Sequence, residues 1–106
     1  MPDDVELAMV VGSFEARTGR EAELAAALAR YVVLSRRRPA CRNVDLVASV
    51  VHAGRVVVVE KWASADAARG HLDDAETVAM AEAVRPLLTS PPELDLLDSI
   101  SAHDLA

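Results

Sequence analysis

The stretch Arg55-Val56-Val57-Val58-Val59-Glu60-Lys61-Trp62 reads as a β-strand, and it is apolar on both faces. Val56 and Val58 fall on one side, Val57 and Val59 on the other. A strand of that kind belongs in the middle of a sheet. Val5–Phe14 has the same character, with Val5, Leu7, Met9 and Val11 set against Ala8 and Val10. Two further segments read differently. Val44, Leu46, Ala48 and Val50 alternate with Asn43, Asp45, Val47 and Ser49. Within Glu93–Ile100, Leu94, Leu96 and Ile100 alternate with Asp95, Leu97 and Ser99. Period-two alternation marks half-exposed edge strands. The turn His52-Ala53-Gly54 joins the second and third strands as a hairpin.

Helical signals fill the gaps. Thr18 with Glu21 has the spacing of a capping box. Leu24, Leu28 and Val32 then recur every fourth residue, with Ala25, Tyr31 and Ser35 beside them, until Arg36-Arg37-Arg38 precede Pro39. Ser64 opens a second helix. It runs past His71, breaks or bends at Asp73-Asp74 and continues to about Leu88, with Pro86 disturbing its last turns. The order β-α-β-β-α-β predicts an α+β, ferredoxin-like fold with a four-stranded antiparallel sheet, its first and third strands central. Residues 1–106 form a single domain on this reading.

Two helices cover only one face of such a sheet. Leaving Val10, Val57 and Val59 in water forfeits roughly 1.5–3 kcal/mol for each. The economical cover is a second copy, its sheet packed face to face across a two-fold axis. A homodimer is therefore expected.

Composition narrows the function. The chain has 106 residues, 52% apolar and 26% charged, with Phe14, Tyr31 and Trp62 its only aromatics. Its core must rest on Val, Leu and Ala. Seventeen acids against eleven bases give a net charge of −6, so no nucleic acid is expected as a partner. A lone cysteine, Cys41, leaves no internal disulfide and no thiolate zinc cluster. His52, His71 and His103 lack ligand spacing, so no metal is expected. Met1-Pro2-Asp3-Asp4 is acidic where an export signal is basic, and the apolar stretches Leu7–Val11 and Val56–Val59 fall far short of the ~20 residues of a membrane span. A cytoplasmic protein without membrane partners is expected.

Glu60-Lys61-Trp62-Ala63-Ser64, followed by His71 and Leu72, fits an E-x-W-x-S…H pattern. Phe14 closes the first strand, Gly19 precedes the first helix, and Pro39-Ala40-Cys41 stands where a Pro-Gly-Cys is frequent. In these features, from Val5 to Pro92, the chain resembles the antibiotic biosynthesis monooxygenase family. The resemblance implies a dimeric α/β barrel. It also implies an activity from a diverse set: cofactor-free oxidation of phenolic polyketides and quinols, heme degradation, or processing of small signalling molecules. Heme-degrading relatives use an Asn and a His at positions that fall near Gly12 and Ala81 here, and neither residue does that work. The reading is a monooxygenase with no cofactor, oxidising a small hydrophobic or aromatic molecule, phenolic, quinol or polyketide-like, with molecular oxygen. The alternative is a non-catalytic dimer of the same fold that binds a small molecule.

Cofactor-free oxidation needs a base and donors around a dry cavity. His71 is the candidate base, or else a structural histidine at the helix–sheet seam. Trp62 and Glu60 share one face of their strand. Trp62 is either a cavity wall with an N–H donor or core. Glu60 is costly in a central strand unless paired; it orients His71 or an arginine, caps a helix or bridges subunits. Tyr31 and Asn43 are candidate substrate donors, with core packing and turn chemistry as their plainer roles. Cys41 reads as a small buried apolar residue, Arg55 as solvated, and Arg36–Arg38 as complements to the helix C-terminus.

Overall fold

The computed structural model describes residues 7–100. The elements are β1 (Ala8–Glu15), α1 (Glu21–Ser35), β2 (Cys41–Ala48), β3 (Arg55–Trp62), α2 (Ala65–Leu72), α3 (Ala75–Val84), a 3₁₀ turn (Arg85–Leu87) and β4 (Glu93–Asp98). The sheet order is β2-β3-β1-β4, with every neighbouring pair antiparallel. The two strands read as apolar on both faces are the central ones, and the fold is ferredoxin-like.

Register decides which side chains meet the helices. Val44 pairs with Glu60, Glu60 with Val10, and Val10 with Leu96. Directly paired residues share a face, so these four form one row across the sheet. Phe14, Val44 and Val58 on that face pack with Leu24, Leu28, Tyr31 and Val32 of α1. Ala8, Val10 and Trp62 pack with Ala68 of α2. The opposite face carries Met9, Val11, Val57 and Val59, all half-buried. Val10 was expected there with Val57 and Val59; it is instead 2% exposed on the helix side. Val11 takes its place. The large Phe14 ring belongs under the helices, and it fixes the even-numbered residues of β1 on its own side.

Local chemistry explains the other departures. Val5 lies outside the described residues, and β1 ends one residue later than expected. Thr18 is not the cap of α1. The chain turns at Gly19, whose φ of +87° suits glycine, and the helix begins at Glu21. Glu21 Oε1 accepts from the Gly19 N–H at 2.9 Å, a bond one residue out of register with the expected box. β2 stops at Ala48, and Val50 is 98% exposed in a longer turn than expected. Ser49 Oγ accepts there from the Val51 and His52 N–H groups, at 3.2 and 2.9 Å. β4 likewise stops at Asp98, leaving Ile100 fully exposed. Ser64 caps α2 as read, its side chain accepting from the Ala67 N–H at 3.1 Å. The second helical segment does break at Asp73-Asp74, and Pro86 lies in the 3₁₀ turn. No helix among the described residues is long and apolar enough to cross a membrane.

Arg55, expected in solvent, is engaged, and Arg36, expected to complement the end of α1, reaches across to β2. Arg55 pairs with Glu15. Arg36 donates from Nε and Nη2 to the Val44 carbonyl at 3.0 and 2.7 Å, tying the end of α1 to β2.

Candidate functional site

The seam between α1, α2 and β3 holds a buried polar cluster. Helical spacing puts Tyr31 and Ser35 one turn apart on the inner stripe of α1. Strand alternation puts Glu60 and Trp62 on the facing side of β3. His71 arrives from the last turn of α2. All five are at most 3% exposed.

Glu60 accepts at both oxygens. The Tyr31 hydroxyl donates to Oε2 at 2.6 Å, and the Trp62 indole N–H donates to Oε1 at 2.8 Å. An indole N–H only donates, so these contacts suit a carboxylate. Burial, and next the Glu60 charge, push the Tyr31 phenol well above its ordinary range, while the Thr77 and Ser35 hydroxyls against it pull the other way. Tyr31 is therefore a firmly held proton donor with three oxygen neighbours.

His71 lies between two rings. Trp62 is 4.4 Å away, centroid to centroid, and Tyr31 is 5.6 Å away. Its Nε2 is 2.8 Å from Ser35 Oγ, and its Nδ1 is 2.9 Å from Asp74 Oδ2. A carboxylate only accepts, so in the neutral ring Nδ1 carries the hydrogen and Nε2 accepts from Ser35. Asp74 occupies the N-cap position of α3 with extended backbone, yet its side chain makes no capping bond. Its carboxylate is committed to the imidazole, a local rule set aside where a site needs the group.

Arg38 supplies the counter-charge. It forks onto Glu76 through Nε, at 2.6 Å, and Nη2, and its Nε lies 3.4 Å from Asp74. That guanidinium holds the Glu76 carboxyl below the usual glutamate range. His71, Asp74 and Glu76 bring their ligand atoms within 4.8 Å of one another, a donor set suited to a cation. Here the cation beside the two carboxylates is Arg38. Every buried side-chain nitrogen and oxygen among the described residues has a partner.

The structure thus brings together His71, Trp62, Glu60 and Tyr31. Asn43 lies apart, exposed on the far side of the sheet, where its Nδ2 donates to Asp45 Oδ2 at 2.9 Å. Sequence reading missed Ser35, Asp74 and Thr77 as members. Ser35 was visible on the inner stripe of α1, but its pairing with His71 depends on helix placement. Cys41 is half-buried, its thiol raised chiefly by burial and then by the Glu60 charge, which disfavours a reactive thiolate.

Thr77 links the cluster to open space. Its Oγ1 donates to the His71 carbonyl at 2.6 Å, and its hydroxyl lies against Tyr31. It also lines an apolar cleft of about 300 Å³ with Phe14, Leu72, Val78 and Leu94. Ala81, Arg85 and Pro92 carry that cleft into a second one of about 410 Å³, bordered by Leu88, Thr89 and Ser90. Together they make a trough along α3.

Comparison with known proteins agrees with this architecture. Rv0793 from Mycobacterium tuberculosis is 25% identical, with a TM-score of 0.83 over 91% of this chain and 97% of its own. SO0527 from Shewanella oneidensis is 26% identical, with a TM-score of 0.82 over 91% and 93%. A structure named antibiotic biosynthesis monooxygenase, 16% identical, shares the fold with a TM-score of 0.79 over 88% and 98%. Comparison with curated proteins gives no match. Residues 7–83 match the family model described as antibiotic biosynthesis monooxygenase, which is most of the chain. On that match, and on a fold built as its strands and helices require, the chain belongs to the antibiotic biosynthesis monooxygenase family.

Proposed function

We propose that this protein is a cofactor-independent monooxygenase that oxidises a small, electron-rich aromatic molecule held in the trough along α3. Family membership supports the reaction class. The observation that carries the reading is Thr77, a residue that borders the apolar cleft while its hydroxyl bonds the His71 carbonyl inside the buried set of proton-handling groups.

At rest the Thr77 proton lies on the His71 carbonyl and the Tyr31 proton on Glu60. Both hydroxyls turn to relay the substrate's acidic proton, Thr77 taking it up and passing its own to Tyr31, which passes its own to Ser35. Ser35 hands it to Nε2 of His71, the base. Asp74 steadies the resulting imidazolium through Nδ1–H. The deprotonated, electron-rich substrate then reduces oxygen directly. For an activated methylene the balance is CH₂ + O₂ → C=O + H₂O: two C–H bonds break, one oxygen atom enters the product and the other leaves as water. The substrate supplies all the electrons. Glu60 fixes Tyr31, and Trp62 walls the imidazole. The Trp62 N–H is committed to Glu60, so Trp62 gives the substrate no hydrogen bond. Asn43 has no part in this chemistry.

The active form is a homodimer. Met9, Val11, Val57 and Val59 form the face that a second copy covers, and Leu97, paired with Met9, extends it to the edge. Light scattering at micromolar concentration should give twice the chain mass; a monomer refutes the dimer.

One observation favours the non-catalytic alternative: both ring nitrogens of His71 and both oxygens of Glu60 are already engaged. Oxygen uptake with a panel of quinols and anthrones separates the readings. The monooxygenase takes up oxygen, and His71→Ala and Thr77→Val each lower the rate by at least about a hundredfold, the loss typical of a proton-transfer group. A wild-type rate no greater than buffer leaves the binding protein; equal rates in the variants remove the proposed proton path.

A further inference from the structure

We infer that Arg85 selects an acidic aromatic ligand, one with a carboxylate or phenolate at the end of the ring system remote from the reacting carbon. The inference rests on the trough being the substrate site and adds the class of molecule it takes. Arg85 lies just past the end of α3, where the 3₁₀ turn begins. It borders both clefts of the trough. Its guanidinium has no hydrogen bond or ion pair among the described residues, unlike those of Arg36, Arg38 and Arg55. An exposed arginine without a partner is ordinary by itself. This one stands at the waist of an apolar groove, where it borders both the inner and the outer cleft.

The trough is therefore chemically polarised. Its outer cleft offers the Arg85 guanidinium, whose fork of N–H donors recognises a flat anion; Thr89, also on its border, gives its own hydroxyl to the Glu15 carbonyl at 3.4 Å. Its inner cleft offers Phe14, Leu72, Val78 and Leu94 to rings, with Thr77 at the side facing the buried cluster. The charged group on the inner wall besides Arg85 is Glu82. It repels an anion from the inner cleft and so favours one orientation, acid outward and rings inward. That orientation brings the non-acidic end of the ligand to Thr77.

The test uses the full-length protein and a matched pair of probes, 2-naphthoate and 2-naphthamide, titrated by calorimetry. The two share a ring system and differ in charge. Wild type should bind the acid about tenfold more tightly than the amide, as expected for a charge-assisted bidentate contact. Arg85→Gln should reduce that ratio below about twofold while leaving amide affinity unchanged. Ala81→Trp, at an exposed position shared by both clefts, should abolish binding of both probes. Equal affinity of acid and amide for wild type, retention of the preference in Arg85→Gln, or unchanged binding in Ala81→Trp each overturns the inference. Neither probe needs to react, so binding is read independently of oxygen chemistry. Acid preference without oxygen uptake on any phenolic acid would sink the monooxygenase and keep the ligand class. Oxygen uptake on neutral quinols without acid preference would do the reverse.

Discussion

Tyr31→Phe isolates the strongest bond of the buried cluster. The substitution removes one oxygen and leaves the ring in place. The lost hydroxyl donates to Glu60 Oε2 at 2.6 Å, between residues only 2% and 3% exposed. Hydrogen bonds to charged groups contribute about 1.5–3 kcal/mol, and a buried carboxylate oxygen left without its donor adds a desolvation cost of about 1–3 kcal/mol. The Trp62 N–H remains on the other oxygen and limits the damage, so a loss of about 2–4 kcal/mol is expected. For a domain of this size that is a fall in Tm on the order of 10 °C. Glu60→Gln should cost less, about 1–2 kcal/mol: no charge is stranded, the amide oxygen still accepts from the Trp62 N–H, and the Tyr31 hydroxyl turns to accept from the amide NH₂. In the double variant the two losses should fall short of additivity by about 1–2 kcal/mol, the signature of a direct pair. Urea unfolding followed by circular dichroism at 222 nm measures all three. If Tyr31→Phe unfolds within about 0.5 kcal/mol of wild type, or if the losses simply add, the Tyr31–Glu60 bond does not hold the seam and the proton path loses its hub.

Two more outcomes follow from the same geometry. Tyr31 is the only tyrosine, so phenolate absorbance near 295 nm belongs to it alone. Its folded pKa lies above the ordinary phenol value of 10.0, so its protonated bond contributes fully below that value and is lost as pH rises through the folded pKa. Absorbance should stay flat as pH climbs past 10 and rise only together with loss of helical signal; a free titration near pH 10 in the folded protein contradicts the buried donor. Ser64→Ala removes the side-chain acceptor of the Ala67 N–H. It should cost about 1 kcal/mol, and because α2 carries His71 it should also lower oxygen uptake; unchanged stability means the cap contributes nothing.

Alternation in the sequence was enough to order the strands, since Val56–Val59 tolerates burial on both sides and Asn43–Ser49 does not. The same double-sided pattern hid the parity of β1. Apolar residues on both faces do not say which face meets the helices, and Val10 was misplaced for that reason. Phe14 held the answer, because so large a ring goes to the deeper side. Asn43 was decidable as well: with Val44 pointing in, its neighbour points out. Glu60 and Trp62 were legible from strand parity, and Tyr31 from the helical stripe. Asp74 was not. Its place three residues after His71 spans the break between α2 and α3, where helical spacing carries no information. Ser35 needed the meeting of the last turns of α1 and α2, where it reaches His71, a tertiary fact. The turn at Gly19 defeated the capping-box reading, because its positive φ let the helix start after the expected cap.

The close approach of the Trp62 ring to His71 gives the molecule its own optical gauge. There is one indole in the chain, and it sits 4.4 Å from the imidazole. Charging an imidazole dims a neighbouring indole's emission, so fluorescence from native protein registers the protonation state at the seam without a label. Every proton delivered to that ring, by acid or by a turning-over substrate, is visible as light lost.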